Sequence, residues 1–264
     1  MGEWVESGGV RLAVEVLGEG EPVTVVAHGL TQSRLELSLF APFVPGTKVL
    51  FDFRGHGESE RPGPGAYRMD DFAADVEAVA DAHGATVLIG ASLGGGATLR
   101  LLRRRPDRFE RMVILLPARL ERGVGSEDAR ASLFRVAEHL ERYPIEEAAE
   151  RILAAEEAEG AFDGSAAARE LRLQALLRMN REGLPHAIRE SLDDPPVTDL
   201  APLRLVQAPV LVIGQEGDPV HESWVARELA EALPGGELML FPDPFAMVQE
   251  IPALVRRITS FIAG

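Results

Sequence analysis

Short apolar runs recur along the chain and alternate with stretches of helical periodicity. The runs are rich in β-branched residues and lie at 23–27, 48–51, 86–89, 112–116, 210–213 and 238–241. Segment 69–83, between two of them, places Phe72, Val76 and Val79 at the spacing of one helix face. Strands that alternate with helices predict a mostly parallel sheet with helices on both faces.

Two segments, one at the start of the chain and one inside it, depart from this pattern. Residues 4–6 and 11–17 flank Gly8-Gly9 and predict an antiparallel hairpin at the sheet edge. Residues 120–198 contain no strand-like run and instead predict four helices, at 127–142, 145–159, 165–181 and 185–192. We therefore predict a helical cap at 120–198, inserted into a core domain formed by 1–119 and 199–264.

Composition removes several classes of function. A formal net charge of −15 argues against nucleic-acid binding, which depends on clustered Lys and Arg. The chain has no cysteine, so a disulfide framework or thiolate metal site is excluded. Neither an export signal nor a run of about 20 apolar residues is present, and we expect a cytoplasmic protein that spans no membrane.

The strongest chemical motif is Gly90-Ala91-Ser92-Leu93-Gly94, which directly follows a predicted strand and precedes a predicted helix. In this context a serine lies on a strained turn, and small neighbours let the backbone fold tightly and expose its hydroxyl. Ser92 is therefore the predicted nucleophile.

A second motif, His28-Gly29-Leu30, ends the strand at 23–27. A glycine turn there lets the amides of Leu30 and Leu93 converge on one carbonyl oxygen, which predicts an oxyanion hole. We also place His28 and Gly29 among the residues around the substrate.

A third motif runs from Asp52 to Ser59 and includes Arg54 and His56. Its two glycines and several polar side chains predict a tightly hydrogen-bonded loop. Structural anchoring is the preferred role for Asp52, Arg54 and His56.

With these motifs in this order, the chain resembles the α/β-hydrolase superfamily nearly from end to end, in particular its capped bacterial esterases, epoxide hydrolases and C-C hydrolases. The resemblance implies an eight-stranded, mostly parallel sheet with a cap after the sixth strand, and a catalytic triad in the order Ser, Asp, His. Gly217-Asp218-Pro219 resembles the acid turn of that family, which makes Asp218 the expected acid.

The histidine that the resemblance implies is absent from its usual position. It should precede Glu250-Ile251-Pro252 by five residues, in a loop after the last strand, and Phe245 stands there. None of the six histidines lies beyond His221. A serine without an imidazole is a poor nucleophile, so efficient hydrolysis by the usual route is not expected.

Three hypotheses follow from the missing histidine. The preferred one is an enzyme that polarises a carbonyl for non-hydrolytic chemistry such as cyclisation, isomerisation, epimerisation or elimination. The second is a slow or rewired hydrolase of esters, thioesters or lactones that recruits another histidine. His221 is the first candidate, although a residue three positions after the acid usually begins the next helix; His28, His139 and His186 are the others.

The third hypothesis is a non-catalytic binding protein. In each case the expected ligand is a hydrophobic small molecule or peptide held under the cap, beside Phe245, Met247 and His221. No phosphate-binding glycine loop or metal cluster stands out in the sequence, and no cofactor is expected.

Overall fold

One eight-stranded sheet organises the part of the chain that the structure describes. The computed structural model describes residues 2–38, 41–117, 127–159 and 165–264, with only the backbone of residues 245 and 248. The strands are β1 Glu3–Ser7, β2 Val10–Leu17, β3 Val23–Ala27, β4 Thr47–Phe51, β5 Val87–Ala91, β6 Arg111–Leu115, β7 Val210–Gln215 and β8 Gly236–Phe241. Their spatial order is β1-β2-β4-β3-β5-β6-β7-β8, and all neighbours are parallel except the two pairs that involve β2.

Helices cover both faces of the sheet, as the alternating pattern predicts. They are α1 Arg34–Ser38, α2 Met69–Ala82, α3 Leu93–Leu102, α4 Glu127–Arg142, α5 Ile145–Ala158, α6 Ala166–Leu177, α7 Leu184–Asp193, α8 Ser223–Ala232, α9 Pro244–Gln249 and α10 Ile251–Ala263, with short 3-10 helices at Ala41–Phe43 and Ala201–Leu205. Within the described ranges, no helix is long and apolar enough to cross a membrane.

Side chains of the central strands alternate between two hydrophobic cores. Val25 and Leu88 pack on the side of α2 and α3, whereas Val26 and Ile89 pack on the side of α10. Because both faces are buried, the strands are apolar at nearly every position, which is why they were visible in the sequence.

The helices α4 to α7 follow the sixth strand and form the cap. α4 packs against α5 and α7, and α5 packs against α6. All four lie at or within a few residues of their predicted bounds. The predicted start of the cap at residue 120 lies outside the described residues, so the division into core and cap at that point stays a prediction.

The segment after β8 corrects one expectation. The sequence predicts an apolar loop there, but residues 244–249 form helix α9. The reason is local: Asp243 accepts a hydrogen bond from the Ala246 amide at 2.8 Å, which caps the helix, and Pro244 occupies its first turn, where the missing N–H costs nothing. The final helix then begins at Ile251, as the sequence predicts.

The loop at 52–59, here called the anchor loop, follows β4 and connects the end of that strand to α1 and α2 by hydrogen bonds. Arg54 pairs with the buried Asp75 of α2 through two hydrogen bonds of 2.9 and 2.6 Å. Asp52 pairs with Arg34, and the Ser59 hydroxyl donates to the Asp52 carbonyl at 2.6 Å. The loop is a hydrogen-bonded anchor, which is the role that its composition predicts.

Removal of Asp75 should destabilise the fold strongly. An Asp75→Ala change leaves the Arg54 guanidinium, whose side chain is 5% exposed, without its bidentate partner. We expect a loss of about 3 kcal/mol in the free energy of unfolding, measured by urea denaturation. Asp70→Ala, an exposed position on the same helix, is the matched control and should change stability by less than about 0.5 kcal/mol. Equal effects of the two changes would contradict the anchoring role.

Candidate active site

Ser92 lies on a strained turn between β5 and α3. Its backbone has φ 46° and ψ −105°, a combination that costs energy for any residue with a side chain. The turn depends on its glycines: a Cβ at Gly94 would lie 2.3 Å from the Ala27 carbonyl oxygen, and one at Gly90 would lie 2.8 Å from the Gly95 amide nitrogen. The sequence motif therefore has the strand, turn and helix context that lifts a serine hydroxyl above the sheet.

Asp218 follows β7 and accepts four hydrogen bonds. Its Oδ1 accepts the amides of Val220 and His221 at 2.8 and 3.0 Å. Its Oδ2 accepts the Gln215 side-chain amide at 2.6 Å and the His221 Nδ1 at 2.9 Å. Burial alone would raise the pKa of Asp218, but the hydrogen bonds and attraction of His221, with help from Gln215, hold it below the ordinary carboxyl value. Asp218 is therefore a stable carboxylate.

His221 joins Asp218 to Ser92. Its Nε2 lies 3.1 Å from the Ser92 Oγ, while its Nδ1 contacts Asp218. Because an ionised carboxylate can only accept, the Nδ1 carries the proton and the Nε2 is free to accept the Ser92 hydroxyl proton. The three side chains form one continuous chain of hydrogen bonds.

This geometry overturns the expectation that no imidazole reaches the serine. The objection to His221 was that a residue three positions after the acid usually begins the next helix. In the structure α8 begins two residues later, at Ser223, and His221 still lies in the bend that the Asp218 Oδ1 holds by accepting the two amides. That bend turns the imidazole back towards Ser92.

The predicted oxyanion hole has suitable surroundings. Within the described ranges, the amides of Leu30 and Leu93 donate to no protein acceptor, and both residues line the same cavity as Ser92. The His56 Nε2 lies 2.7 Å from the Leu30 carbonyl oxygen, and the Gln32 side chain accepts the Gly29 amide at 2.9 Å. These contacts fix the turn that carries the Leu30 amide.

A cavity of about 400 Å³ lies between the turn that carries Ser92 and the cap. Ser92, His221, Gly29 and Met247 are on its wall, as the sequence predicts. Most of the other described lining residues are apolar, and they include Leu37, Met69, Leu99, Leu115, Leu116, Leu133, Leu192, Val220 and Leu254. Phe245 lies in α9, but its side chain falls outside the description, so its predicted place in the pocket stays a prediction.

His28 does not line this cavity, which corrects its predicted place beside the substrate. The ring is fully buried beneath the turn; its Nδ1 donates to the Gly29 carbonyl at 2.8 Å and its Nε2 accepts the Phe53 amide at 3.0 Å. Burial lowers the pKa of His28 to about 4. His28 is a neutral structural residue that connects the turn at Gly29 to the anchor loop.

Two residues of the site were not predicted from the sequence. Gln215, the last residue of β7, donates to the acid, and its position three residues before Asp218 was an available signal. Arg172 of α6 lines the cavity, and its guanidinium donates to Glu156 at 2.7 Å and to the Thr31 carbonyl at 3.4 Å. No sequence pattern distinguishes this arginine from the others of the cap helices.

The described residues hold no group of three or more His, Asp or Glu side chains placed to bind a metal ion. The chemistry that the geometry itself provides is nucleophilic: a hydroxyl that lines the cavity, an imidazole placed to accept its proton, a carboxylate that orients the imidazole, and two amides nearby.

Comparison with known proteins identifies the family of the fold. A family model described as alpha/beta hydrolase fold matches residues 25–252. Two curated relatives match over short segments: a proline iminopeptidase of Pestalotiopsis fici, 30% identical over 36% of this chain and 36% of its own length, and a putative carbamate hydrolase of Caulobacter segnis, 41% identical over 25% of this chain and 26% of its own length. The matched segments therefore span about a third and a quarter of those relatives.

Solved structures resemble the chain over its whole length. A hydrolase from Pseudomonas aeruginosa has a TM-score of 0.81 at 23% identity, with 100% of this chain and 98% of that chain covered. An esterase from Exiguobacterium antarcticum has a TM-score of 0.82 at 16% identity, with both chains fully covered at 100%. An enol-lactonase from Burkholderia xenovorans has a TM-score of 0.78 at 22% identity, with 99% of this chain and 100% of that chain covered. At these identities the likeness establishes the fold.

The buried state of His28 predicts a loss of stability in mild acid. The unfolded chain binds a proton at this residue near the ordinary pKa of 6.5, whereas the native chain binds it only near 4. Between these values the unfolded state holds more protons, so stability falls as the pH falls, by about 2 kcal/mol at pH 5.

This effect is measured by urea unfolding of the protein and its His28→Asn variant at pH 7.5 and pH 5.0. The variant should be less stable at the higher pH but should lose about 2 kcal/mol less than the unaltered protein on acidification. Parallel losses in the two proteins would mean that His28 is not the group responsible.

Proposed function

Since the chain belongs to the α/β-hydrolase family, we propose that it is a serine hydrolase of small hydrophobic carboxylic esters or lactones, with Ser92 as nucleophile, His221 as general base and Asp218 as the acid that orients it. The observation that carries the proposal is the unbroken hydrogen-bonded chain from Asp218 through His221 to Ser92, with contacts of 2.9 and 3.1 Å.

The first half of the reaction forms an acyl-enzyme. The Ser92 Oγ attacks the carbonyl carbon of the substrate while the His221 Nε2 takes the hydroxyl proton. The resulting imidazolium donates that proton to the leaving oxygen, and the alcohol departs. Asp218 stays ionised and stabilises the positive ring, which its lowered pKa supports.

The amides of Leu30 and Leu93 hold the negative oxygen of the tetrahedral intermediate. They are suited to this role because no described protein acceptor engages them and because the turn at Leu30 and the start of α3 at Leu93 are fixed before the substrate arrives. Such donors contribute about 3 kcal/mol each to transition-state stabilisation. In the second half, His221 removes a proton from water, the water attacks the acyl carbon, and Ser92 leaves as the protonated hydroxyl.

The cavity favours an ester or lactone over an aminopeptidase substrate. An aminopeptidase must hold the cationic amino terminus of a peptide, which requires a carboxylate in the pocket. The described lining residues include no Asp or Glu, and the charged side chain on the wall, Arg172, is itself a cation. An amino-terminal ammonium would therefore be desolvated without a partner, which is costly.

The non-hydrolytic hypothesis loses its premise at this site. Cyclisation, isomerisation or elimination was preferred because no base was expected beside Ser92, and His221 now occupies that position. The hypothesis of a non-catalytic binding protein makes a different prediction, namely that Ser92 reacts with nothing, and the following experiment separates it from hydrolysis.

The decisive change is His221→Ala. Without the imidazole, kcat for p-nitrophenyl acetate should fall by roughly 10⁴ to 10⁶, to the level of Ser92→Ala, and labelling of Ser92 by a fluorophosphonate should be lost in parallel. His139→Ala, a histidine of cap helix α4 that was also considered as a base, is the matched control and should retain activity within about twofold.

Two results would contradict the proposal. Ser92-dependent turnover that survives His221→Ala would mean that another group acts as the base. Absence of both labelling and turnover in the unaltered protein, with the fold intact by circular dichroism, would favour the binding protein.

A further inference from the structure

A second, smaller cavity lies beside the catalytic one, and we propose that it receives the acyl chain of the substrate. This side cavity, of about 80 Å³, lies between the sheet and α10 and is lined by Val26, Leu37, Ala41, Phe43, Val44, Ile89, Ala91, Leu115, Leu254, Val255, Ile258 and Thr259. The proposal rests on the proposed function, because it names the part of the ester that occupies this space.

The side cavity adjoins the catalytic cavity. Four residues line both: Leu37, Ala91, Leu115 and Leu254. Ala91 directly precedes the nucleophile, so the boundary between the two spaces lies one residue from Ser92. In the proposal, a chain attached to the acyl carbon enters the side cavity between these shared residues.

The apolar side chains that line the side cavity favour an alkyl group as its occupant. Eleven of the twelve described lining residues are apolar, and the hydroxyl of the twelfth, Thr259, donates to the Phe43 carbonyl at 2.8 Å. A polar guest would find no free hydrogen-bond partner among these side chains and would lose its own hydration. Apolar cavities of this kind stay dry and accept hydrocarbon.

The position of His221 assigns the acyl group, rather than the alcohol, to this space. The leaving oxygen must lie within hydrogen-bond distance of the His221 Nε2 in order to receive its proton. His221 and its neighbour Val220 line the catalytic cavity but not the side cavity. The alcohol therefore departs on the His221 side, and the acyl chain extends past Ala91 in the other direction.

The volume sets the length of the chain. A cavity of about 150 Å³ holds the six carbons of benzene, so about 80 Å³ accommodates roughly three or four carbons. Together with the carbons next to the serine, this points to a straight acyl chain close to hexanoyl. Each methylene buried in the cavity should raise kcat/KM by about fourfold.

The test compares p-nitrophenyl acetate, butyrate and hexanoate in the unaltered protein and in Val255→Phe, which adds a ring to the wall of the side cavity. In the unaltered protein kcat/KM should rise along the series. In Val255→Phe the value for acetate should stay within about twofold, whereas the value for hexanoate should fall at least about tenfold. Val255→Ala, which enlarges the same space, should move the preference to longer chains, and Ser260→Phe on the exposed side of α10 is the matched control.

Binding without turnover separates this proposal from the proposed function. Straight 2-alkanones from acetone to 2-heptanone should raise the Tm of Ser92→Ala increasingly with chain length, and Val255→Phe in that background should abolish the increase. This measurement decides the proposal even if the protein hydrolyses no ester.

Three results would overturn the proposal. One is a hexanoate preference that Val255→Phe leaves unchanged. Another is a chain-length preference that follows the alcohol in a series of alkyl acetates instead of the acyl group. The third is a Tm shift of the Ser92→Ala protein that does not depend on the length of the alkanone.

Discussion

The candidate site depends on one carboxylate that performs two tasks at once. The Oδ1 of Asp218 accepts the amides of Val220 and His221 and so bends the chain, while its Oδ2 accepts the imidazole of His221. The first pair of bonds places the ring and the second orients it. Gln215 donates to the Oδ2 as well, so the carboxylate is held from both sides and cannot turn away from the ring.

Rigid surroundings allow this short turn to act on a serine that follows a different strand. Ser92 is held in a high-energy backbone conformation by contacts that only glycine permits at positions 90 and 94. Two buried histidine rings hold the opposite side of the site. His28 accepts a hydrogen bond from the anchor loop, and His56 is hydrogen-bonded to the Leu30 carbonyl. The side chains of the candidate site are therefore held in place by the fold, and the proposed hydrolysis would need little reorganisation of them.

The sequence predicts the fold well because burial on both faces makes each central strand a continuous apolar run. The sequence also named Ser92 and Asp218 of the candidate site, since the strand-turn-helix motif around the serine and the acid turn are short motifs with strict backbone requirements. His221, the proposed base, was not the preferred candidate, because its contact with Ser92 depends on the direction in which a bend turns the side chain. The counting argument that led to Phe245 assumed that the base must follow the last strand. The hydrogen bonds that bring His221 back to Ser92 leave no hydrophobic or charge pattern in the chain.

An acid and a base that share one turn alter what the rest of the structure must do. When the histidine follows the last strand, the loop after that strand must keep a fixed path to the nucleophile. Here the segment after β8 is free of that requirement, and it forms the capped helix α9, from which Met247 reaches the wall of the catalytic cavity. A position that would have carried the histidine can instead contribute apolar surface, so the helices α9 and α10 shape the cavity through Met247 and Leu254 while the proposed acid and base both lie in the turn at 218–221.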